Sequence, residues 1–345
     1  MSEISTIGID LGKLVMYVCC MNSSGRVLLR KKLYRSDFLS FMSEQPRCLV
    51  GMEACAGAHN WGRELKKLGF EVKLMPPKYV KPYVKTNKND TNDAEACAEA
   101  VTRPTMRFVS IKSEFQQELT QLHRVRERLV KSRTALVNEL RGFLAEFGVV
   151  LAQGRNKLAG RVRELLLEDK YLFPETCRRT TQRLLEELSR LEDEIEYYEK
   201  QISLVVKSQP CCQQLMTISG VGELSATAVI AAVGNIENFK NGRQFAAFLG
   251  LVPRQHSTGG KDRLGGISKR GDGYIRKLLV QGAHSVLRHV GDKTDKRSVW
   301  IRSLRERRGT CRTAVAIANK NARIMWALLA HGGSYRAFGE MKVAA

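Results

Sequence analysis

Four carboxylates in the first hundred residues have the types and spacing for phosphate chemistry. They are Asp10 in Ile7-Gly8-Ile9-Asp10-Leu11-Gly12, Glu53 in Gly51-Met52-Glu53-Ala54, and the pair Asp90 and Asp93. Asp10 and Glu53 each close a short apolar run that reads as a buried strand. Asp90 and Asp93 stand three apart where a helix is expected to begin, so both can face one way. Carboxylates gathered at one sheet edge repel each other unless positive charge lies between them. A pair of hard divalent ions, Mg2+ or Mn2+, is the usual remedy. Such ions clamp the attacking and leaving oxygens of a phosphodiester. Taken singly these acids are ordinary: a strand-end aspartate, or a helix cap with a first-turn acid. Four in this order point to a metal-dependent phosphodiester site.

A second group of candidates lies past residue 209. Ile218-Ser219-Gly220-Val221-Gly222-Glu223 has the form of a helix-hairpin-helix turn. There Gly220 and Gly222 would let the backbone approach a phosphate, and the next helix would offer free N–H groups. The same residues also suit a plain turn between helices. Farther on, Arg254-Gln255-His256-Ser257-Thr258-Gly259-Gly260-Lys261 mixes glycines, hydroxyls and cations in one loop. Ser257 is the candidate nucleophile, with Arg254, Lys261 and His256 able to favour its ionisation and hold a phosphate. Lys269 and Arg270 follow in Ile267-Ser268-Lys269-Arg270-Gly271-Asp272, and Arg276 and Lys277 sit on the next helix. This region is strongly basic, the electrostatic footprint of phosphate contacts.

The elements that must position these residues follow from apolar periodicity. Residues 7–9, 15–21, 27–33, 47–52 and 70–75 read as strands, with Asn22-Ser23-Ser24-Gly25 a hairpin turn. Residues 60–68 and 93–101 read as helices, the first ended by Gly69 and the second Ala-rich. A hairpin followed by strand–helix–strand units implies a mixed sheet with helices on it. The middle of the chain is different. Leu122, Leu129, Leu136 and Phe143 recur every seven residues, with Leu119, Leu140 and Phe147 at the offset positions. After a break at Gly148, Gly154, Gly160 and Pro174, a second stripe runs through Leu184, Leu188, Leu191, Ile195, Tyr198 and Ile202. These stripes predict a central α-helical hairpin or coiled coil, packed on itself or on a second copy of the chain. Pairing with a second copy is favoured. The expected division is 1–112, an α/β domain; 113–208, the helical region; and 209–345, a basic, mainly α domain.

Composition narrows the partner. Of 345 residues, 57 are Lys or Arg and 35 Asp or Glu, a net charge of +22 that favours a polyanion. No apolar run approaches the roughly 20 residues that span a bilayer, so nucleic acid is preferred to membrane. Nine scattered cysteines, without Cys-x-x-Cys spacing, suggest reduced thiols in a cytoplasmic protein rather than a disulfide frame or zinc site.

Taken jointly, these motifs resemble one family, the Piv-like DEDD transposases of the one-ten/eleven-eleven insertion sequences. The likeness rests on Gly8-Ile9-Asp10, Met52-Glu53-Ala54 and Lys88-Asn89-Asp90-Thr91-Asn92-Asp93-Ala94 in the first half. In the second it rests on Ser219-Gly220-Val221-Gly222, Phe248-Leu249-Gly250-Leu251-Val252-Pro253 and the Ser257 to Asp272 loop. The resemblance implies a RuvC-like, RNase-H-type N-terminal fold whose Asp10, Glu53, Asp90 and Asp93 hold Mg2+. It also implies a helical linker and a C-terminal transposase domain with a serine nucleophile. In that family a composite site forms from both domains, often across subunits of a dimer or tetramer. A phosphoserine intermediate forms on DNA, and a structured non-coding guide RNA, the bridge RNA, pairs with target and donor DNA. The family motif often has serine directly before the glycine. That position is Thr258 here, so the role is carried to Ser257, whose primary hydroxyl is less hindered, with Thr258 the alternative.

The expected function is therefore an RNA-guided DNA recombinase of a bacterial insertion sequence. One alternative is a metal-dependent Holliday-junction-type endonuclease using activated water. The other is a non-enzymatic RNA-binding assembly protein.

Overall fold

A computed structural model describes residues 3–85, 89–152, 154, 158–168 and 173–335. Lys88, the first residue of the Asp90/Asp93 motif, lies outside them, as does the end of the basic region past residue 335. The chain forms two compact units, one of the described residues through 117 with 232–235, the other of the rest.

The first unit is built on a five-stranded sheet. Its strands are β1 (Thr6–Leu11), β2 (Val15–Met21), β3 (Val27–Tyr34), β4 (Leu49–Glu53) and β5 (Glu71–Met75). Their order is β3-β2-β1-β4-β5, with β1, β4 and β5 parallel and β2 and β3 antiparallel, the mixed sheet expected. Alternation along each strand sends successive side chains to opposite faces. Ile7, Ile9, Met16, Val18, Val50 and Met52 go to one face, where α1 (Phe38–Ser43) and α2 (Ala58–Lys67) cover them with Phe38, Trp61 and Leu65. The residues between them, Gly8, Asp10, Gly51 and Glu53, belong to the other face. There α4 (Asp90–Val101) packs Ala94 and Ala98 against Cys19 and Met21. Before α4, Pro76-Pro77 end β5 and open the short α3 (Pro77–Val80).

Glycine decides how closely α4 lies. Gly8 and Gly51 are register partners on adjacent parallel strands. A Cβ on Gly8 would stand 2.1 Å from the Ala94 carbonyl oxygen, and one on Gly51 would stand 2.7 Å from that of Cys97. The helix thus rests on two bare stretches of backbone. It starts at Asp90, three residues before the expected position, because the Asn89 side chain accepts from the Thr91 N–H and caps it.

The second unit is helical but for one hairpin. The stripes at 119–143 and 184–202 belong to α5 (Glu114–Ala145) and α7 (Glu175–Ser208), with Phe147 just past the end of α5. These helices pack on each other within the chain: Leu136, Leu140 and Leu144 share a core with Leu185 and Leu188. The buried face of α5 departs from the strict heptad, and Phe143 and Phe147 are exposed. A straight helix drifts about 20° per heptad, so the inner stripe passes to Val137, Leu140 and Leu144. The expected break contains a further helix, α6 (Leu158–Leu167), whose Leu158, Val162 and Leu165 complete that core despite Gly160.

After α7 come α8 (Pro210–Met216), α9 (Glu223–Ala232) and α10 (Gly242–Phe248). The hairpin of β6 (Pro253–Gln255) and β7 (Leu264–Ile267) follows, then α11 (Gly273–Arg288), α12 (Lys296–Arg308) and α13 (Thr310–His331). Buried Arg297 ties the α8–α9 turn to this bundle, donating to the Ser219 carbonyl at 3.3 Å and to Asn321 Oδ1 at 2.7 Å. Buried His123 of α5 bridges Tyr274 of α11 and Thr227 of α9, both at 3.0 Å. Burial, reinforced by Arg126, pushes its pKa down to about 4.

Candidate functional site

In the first unit, α4 sets its N-terminal turn over the ends of β1 and β4. Asp10, Asp90 and Asp93 each bring a carboxylate oxygen within 4.8 Å of the others. Asp10 and Asp93 are half-buried and Asp90 is exposed. Glu53 stands outside that trio, on the neighbouring strand one position beyond the Ile9–Met52 register pair, as Asp10 is on β1. Its charge reaches the same interior. The buried Cys97 thiol of α4 is held well above its ordinary pKa by burial first, then by the charges of Glu53, Asp10 and, more weakly, Asp93. Three converging aspartates backed by a fourth acid form a donor set of hard oxygens. It fits a divalent ion with oxygen preference and is unsuited to a soft metal. The N-terminal amides of α4 add positive potential but not a full compensating charge.

In the second unit, Ser257 sits near the tip of the β6–β7 hairpin. Gly259 and Gly260, at φ +57° and +74°, form the two-residue turn. Folding the chain about them opposes Thr258 to Lys261, His256 to Arg263 and Gln255 to Leu264. That register sets Ser257 opposite Asp262, on the same face as Gln255. The Ser257 hydroxyl donates to Asp262 Oδ1 at 2.7 Å, and Gln255 Nε2 donates to both at 2.9 and 3.0 Å. Thr258, one residue along, belongs to the opposite face. A carboxylate accepting from a hydroxyl is the arrangement that activates an oxygen nucleophile. Sequence reasoning passed over Asp262 and Gln255. The signal was present in the Gly259-Gly260 dipeptide, which fixes the cross-strand partners once it is taken as a hairpin turn.

The hairpin is anchored at its root. A Cβ on Gly250 would stand 2.1 Å from the Arg270 carbonyl oxygen, and one on Gly271 would stand 1.9 Å from that of Phe248. Ser268 N–H donates to Val252 at 2.8 Å, and Asp272 caps α11 through the Tyr274 and Ile275 amides. Much of the Phe248–Asp272 motif is therefore scaffolding for the loop.

The remaining candidates divide by environment. Arg254, Lys261, Lys269 and Arg270 are exposed around the hairpin, without an ion-pair partner among the described residues. Arg276 is turned inward, donating to the Leu249 carbonyl at 3.1 Å, and Lys277 pairs with Glu127 at 2.6 Å. Gly220, at φ +85°, has a packing role: its Cβ would stand 2.7 Å from the Gly282 carbonyl oxygen of α11. Gly222 is exposed at the start of α9, with open space where a Cβ would go.

Two family profiles match the chain. A DEDD-type transposase profile covers residues 7–148, and that of the IS116/IS110/IS902 transposase family covers residues 212–298. A probable family 20 transposase of Pseudomonas aeruginosa is 47% identical over 335 residues, 97% of this chain and 99% of that protein. The chain belongs to this transposase family. The Coxiella burnetii transposase for insertion sequence element IS1111A is 44% identical over 97% of this chain and 92% of its own. A Yersinia enterocolitica transposase, for insertion sequence element IS1328, is 39% identical over 96% and 98%. The protein is thus a transposase, an enzyme that cuts and rejoins DNA, which removes the non-enzymatic alternative. Among the described residues, no helix of this transposase is long and apolar enough to cross a membrane.

Proposed function

We propose that this transposase is an RNA-guided DNA recombinase of a bacterial insertion sequence, cutting and rejoining strands through a phosphoserine on Ser257. The observation that carries this reading is the Ser257–Asp262 hydrogen bond at 2.7 Å. A nuclease that used water alone would have no need of a hydroxyl held against a carboxylate. In the first step Ser257 Oγ attacks phosphorus and its proton passes to Asp262. The Oγ–P bond forms as the bond to one sugar oxygen breaks, and that oxygen leaves as a hydroxyl protonated by solvent water, while Asp262 keeps the serine's proton. In the second step a hydroxyl of the partner strand attacks the phosphoserine and gives its proton to solvent, and Ser257 Oγ leaves with the proton held on Asp262, restoring the phosphodiester and the Ser257 hydroxyl. Gln255 holds both side chains in place.

Asp10, Asp90 and Asp93, with Glu53 beside them, would hold Mg2+, two ions by the family's pattern, with Mn2+ an acceptable substitute. Bound there, the metal supplies charge neutralisation at the scissile phosphate. The exposed cations Arg254, Lys261, Lys269 and Arg270 grip phosphates beside the nucleophile. The open N-terminus of α9 at Gly222 takes another.

The sheet order, with two antiparallel strands before the parallel ones, supports a RuvC-like, RNase-H-type domain at 1–112. The long helices support a coiled-coil region at 113–208, leaving 209–345 as the transposase domain. The family resemblance and the charge of +22 support a guide RNA beside target and donor DNA, in a dimeric or tetrameric assembly.

Denaturing electrophoresis of the full chain with labelled element-end DNA and Mg2+ tests the reading. Wild type and Thr258→Val are expected to form a covalent protein–DNA adduct, and Ser257→Ala none. An adduct from Ser257→Ala that Thr258→Val abolishes would move the nucleophile one residue. Free cut ends without any adduct would favour the water-using endonuclease.

A further inference from the structure

A cleft of about 1050 Å³ in the helical unit lies along α13, walled by the start of α10, Trp300 of α12 and the root of the β6–β7 hairpin. Four cations line it: Arg243, Arg312, Lys320 and Arg323. No acidic residue lines it among the described residues, and none of the four is ion-paired there. The burial of Lys320, with Arg297 and Arg323 nearby, holds its pKa below the ordinary value, as unneutralised positive charge requires. The floor is apolar, formed by Leu251, Val315 and Ile324, and Lys320 Nζ lies 4.4 Å from the Trp300 ring centroid.

We propose that this cleft binds an unpaired nucleic-acid strand, with bases against Trp300 and the apolar floor and phosphates on the four cations. The shape decides between strand types. A duplex presents its phosphates on a convex surface and keeps its bases stacked inside. A concave site with an apolar floor and an indole offers nothing to a duplex but suits splayed bases. The place in the fold gives the site its use. Pro253 and Ile267, the pair that opens the serine hairpin, both line the cleft, so a strand held there leads to the hairpin carrying Ser257. The inference rests on the reading of the protein as a nucleic-acid enzyme, but it assigns residues outside the serine loop and the carboxylates.

Fluorescence anisotropy of the full chain with chelator present tests it, using labelled oligo(dT), oligo(rU) of equal length and a duplex. Lys320→Glu with Arg323→Glu, and separately Arg243→Glu with Arg312→Glu, should each weaken single-strand binding about tenfold or more and flatten its salt dependence. Trp300→Leu, which keeps an apolar filler but removes the ring, should weaken it by about threefold or more with an unchanged salt slope. Arg179→Glu with Arg183→Glu, the same charge change on exposed α7, should cost less than about twofold. Preference for oligo(rU) would assign the cleft to RNA, and preference for oligo(dT) to an opened DNA strand; either supports the proposal. Equal losses from the cleft and α7 pairs, full binding by Trp300→Leu, or a duplex affected as strongly as the single strand would overturn it. Neither Ser257 nor a metal is used in this assay, so its failure leaves the covalent-capture test standing, and the reverse.

Discussion

The carboxylate cluster and the serine hairpin are held by opposite means. Asp10, Asp90 and Asp93 meet because a helix lies directly on sheet backbone at Gly8 and Gly51, where Ala94 and Ala98 are buried against Cys19 and Met21. Ser257, Gln255 and Asp262 meet on an exposed two-stranded hairpin, where only turn register and root anchoring fix them. Close packing suits groups whose mutual repulsion must be resisted. A hairpin gripped at its base would suit the proposed nucleophile, which must reach a large substrate. The lesson is that the two groups fail differently, one through the core and one through the loop.

The largest expected effect attacks the packed half. In Gly8→Val the new Cβ would stand 2.1 Å from the Ala94 carbonyl oxygen, so α4 must lift and the cluster disperse. The destabilisation should exceed about 3 kcal/mol, beyond ordinary overpacking, because the clash is with backbone. Thermal melting and metal binding should both fail. In the hairpin, Gly266→Ala meets open space and should shift stability by less than about 0.5 kcal/mol. Similar losses in the two variants would remove the contrast.

Asp262→Asn comes next, aimed at the loop alone. It should slow adduct formation by about 10²- to 10⁴-fold. Melting temperature and metal affinity should not move, as both atoms of the Ser257–Asp262 bond are exposed. A normal adduct rate would leave Asp262 as a loop residue only.

Much of this organisation was legible in the sequence. The strand at 15–21 has the same bounds in the structure, and Asp10 and Glu53 were identifiable because an acid after an alternating apolar run must lie at a strand end. What period cannot say is which helix covers which face, so the pairing of Gly8 with Gly51 beneath α4 came only from the fold. The strict heptad reading of α5 erred at Phe143, where the drift of a straight helix outweighed the seven-residue spacing. Glycine masked α6, since Gly160 reads as a break while Leu158, Val162 and Leu165 supply enough buried surface to hold a helix. Asp262 escaped notice because its role depends on its cross-strand partner rather than its own neighbours.

The smallest effect separates the units by pH. His123 titrates at about 4 in the folded helical unit and at 6.5 ordinarily, so the unfolded chain binds more protons between those values. Stability therefore falls as pH drops from 6.5 towards about 4, with a ceiling of about 3 kcal/mol, and His123 imposes no penalty above that window. Melting of wild type at pH 7 and pH 5 should show this loss, and His123→Gln should show less of it. Equal pH sensitivity in both would assign the loss to other groups.

The central claim is that distant acids of one sheet edge and one helix end form a shared divalent-ion site. Calorimetric titration of Mg2+ into the full chain tests it most directly, comparing wild type, Ser257→Ala, Asp10→Asn and Asp93→Asn. Wild type and Ser257→Ala should bind alike, and each aspartate variant should bind at least about tenfold more weakly. Unchanged Mg2+ affinity in Asp10→Asn and Asp93→Asn would contradict the account.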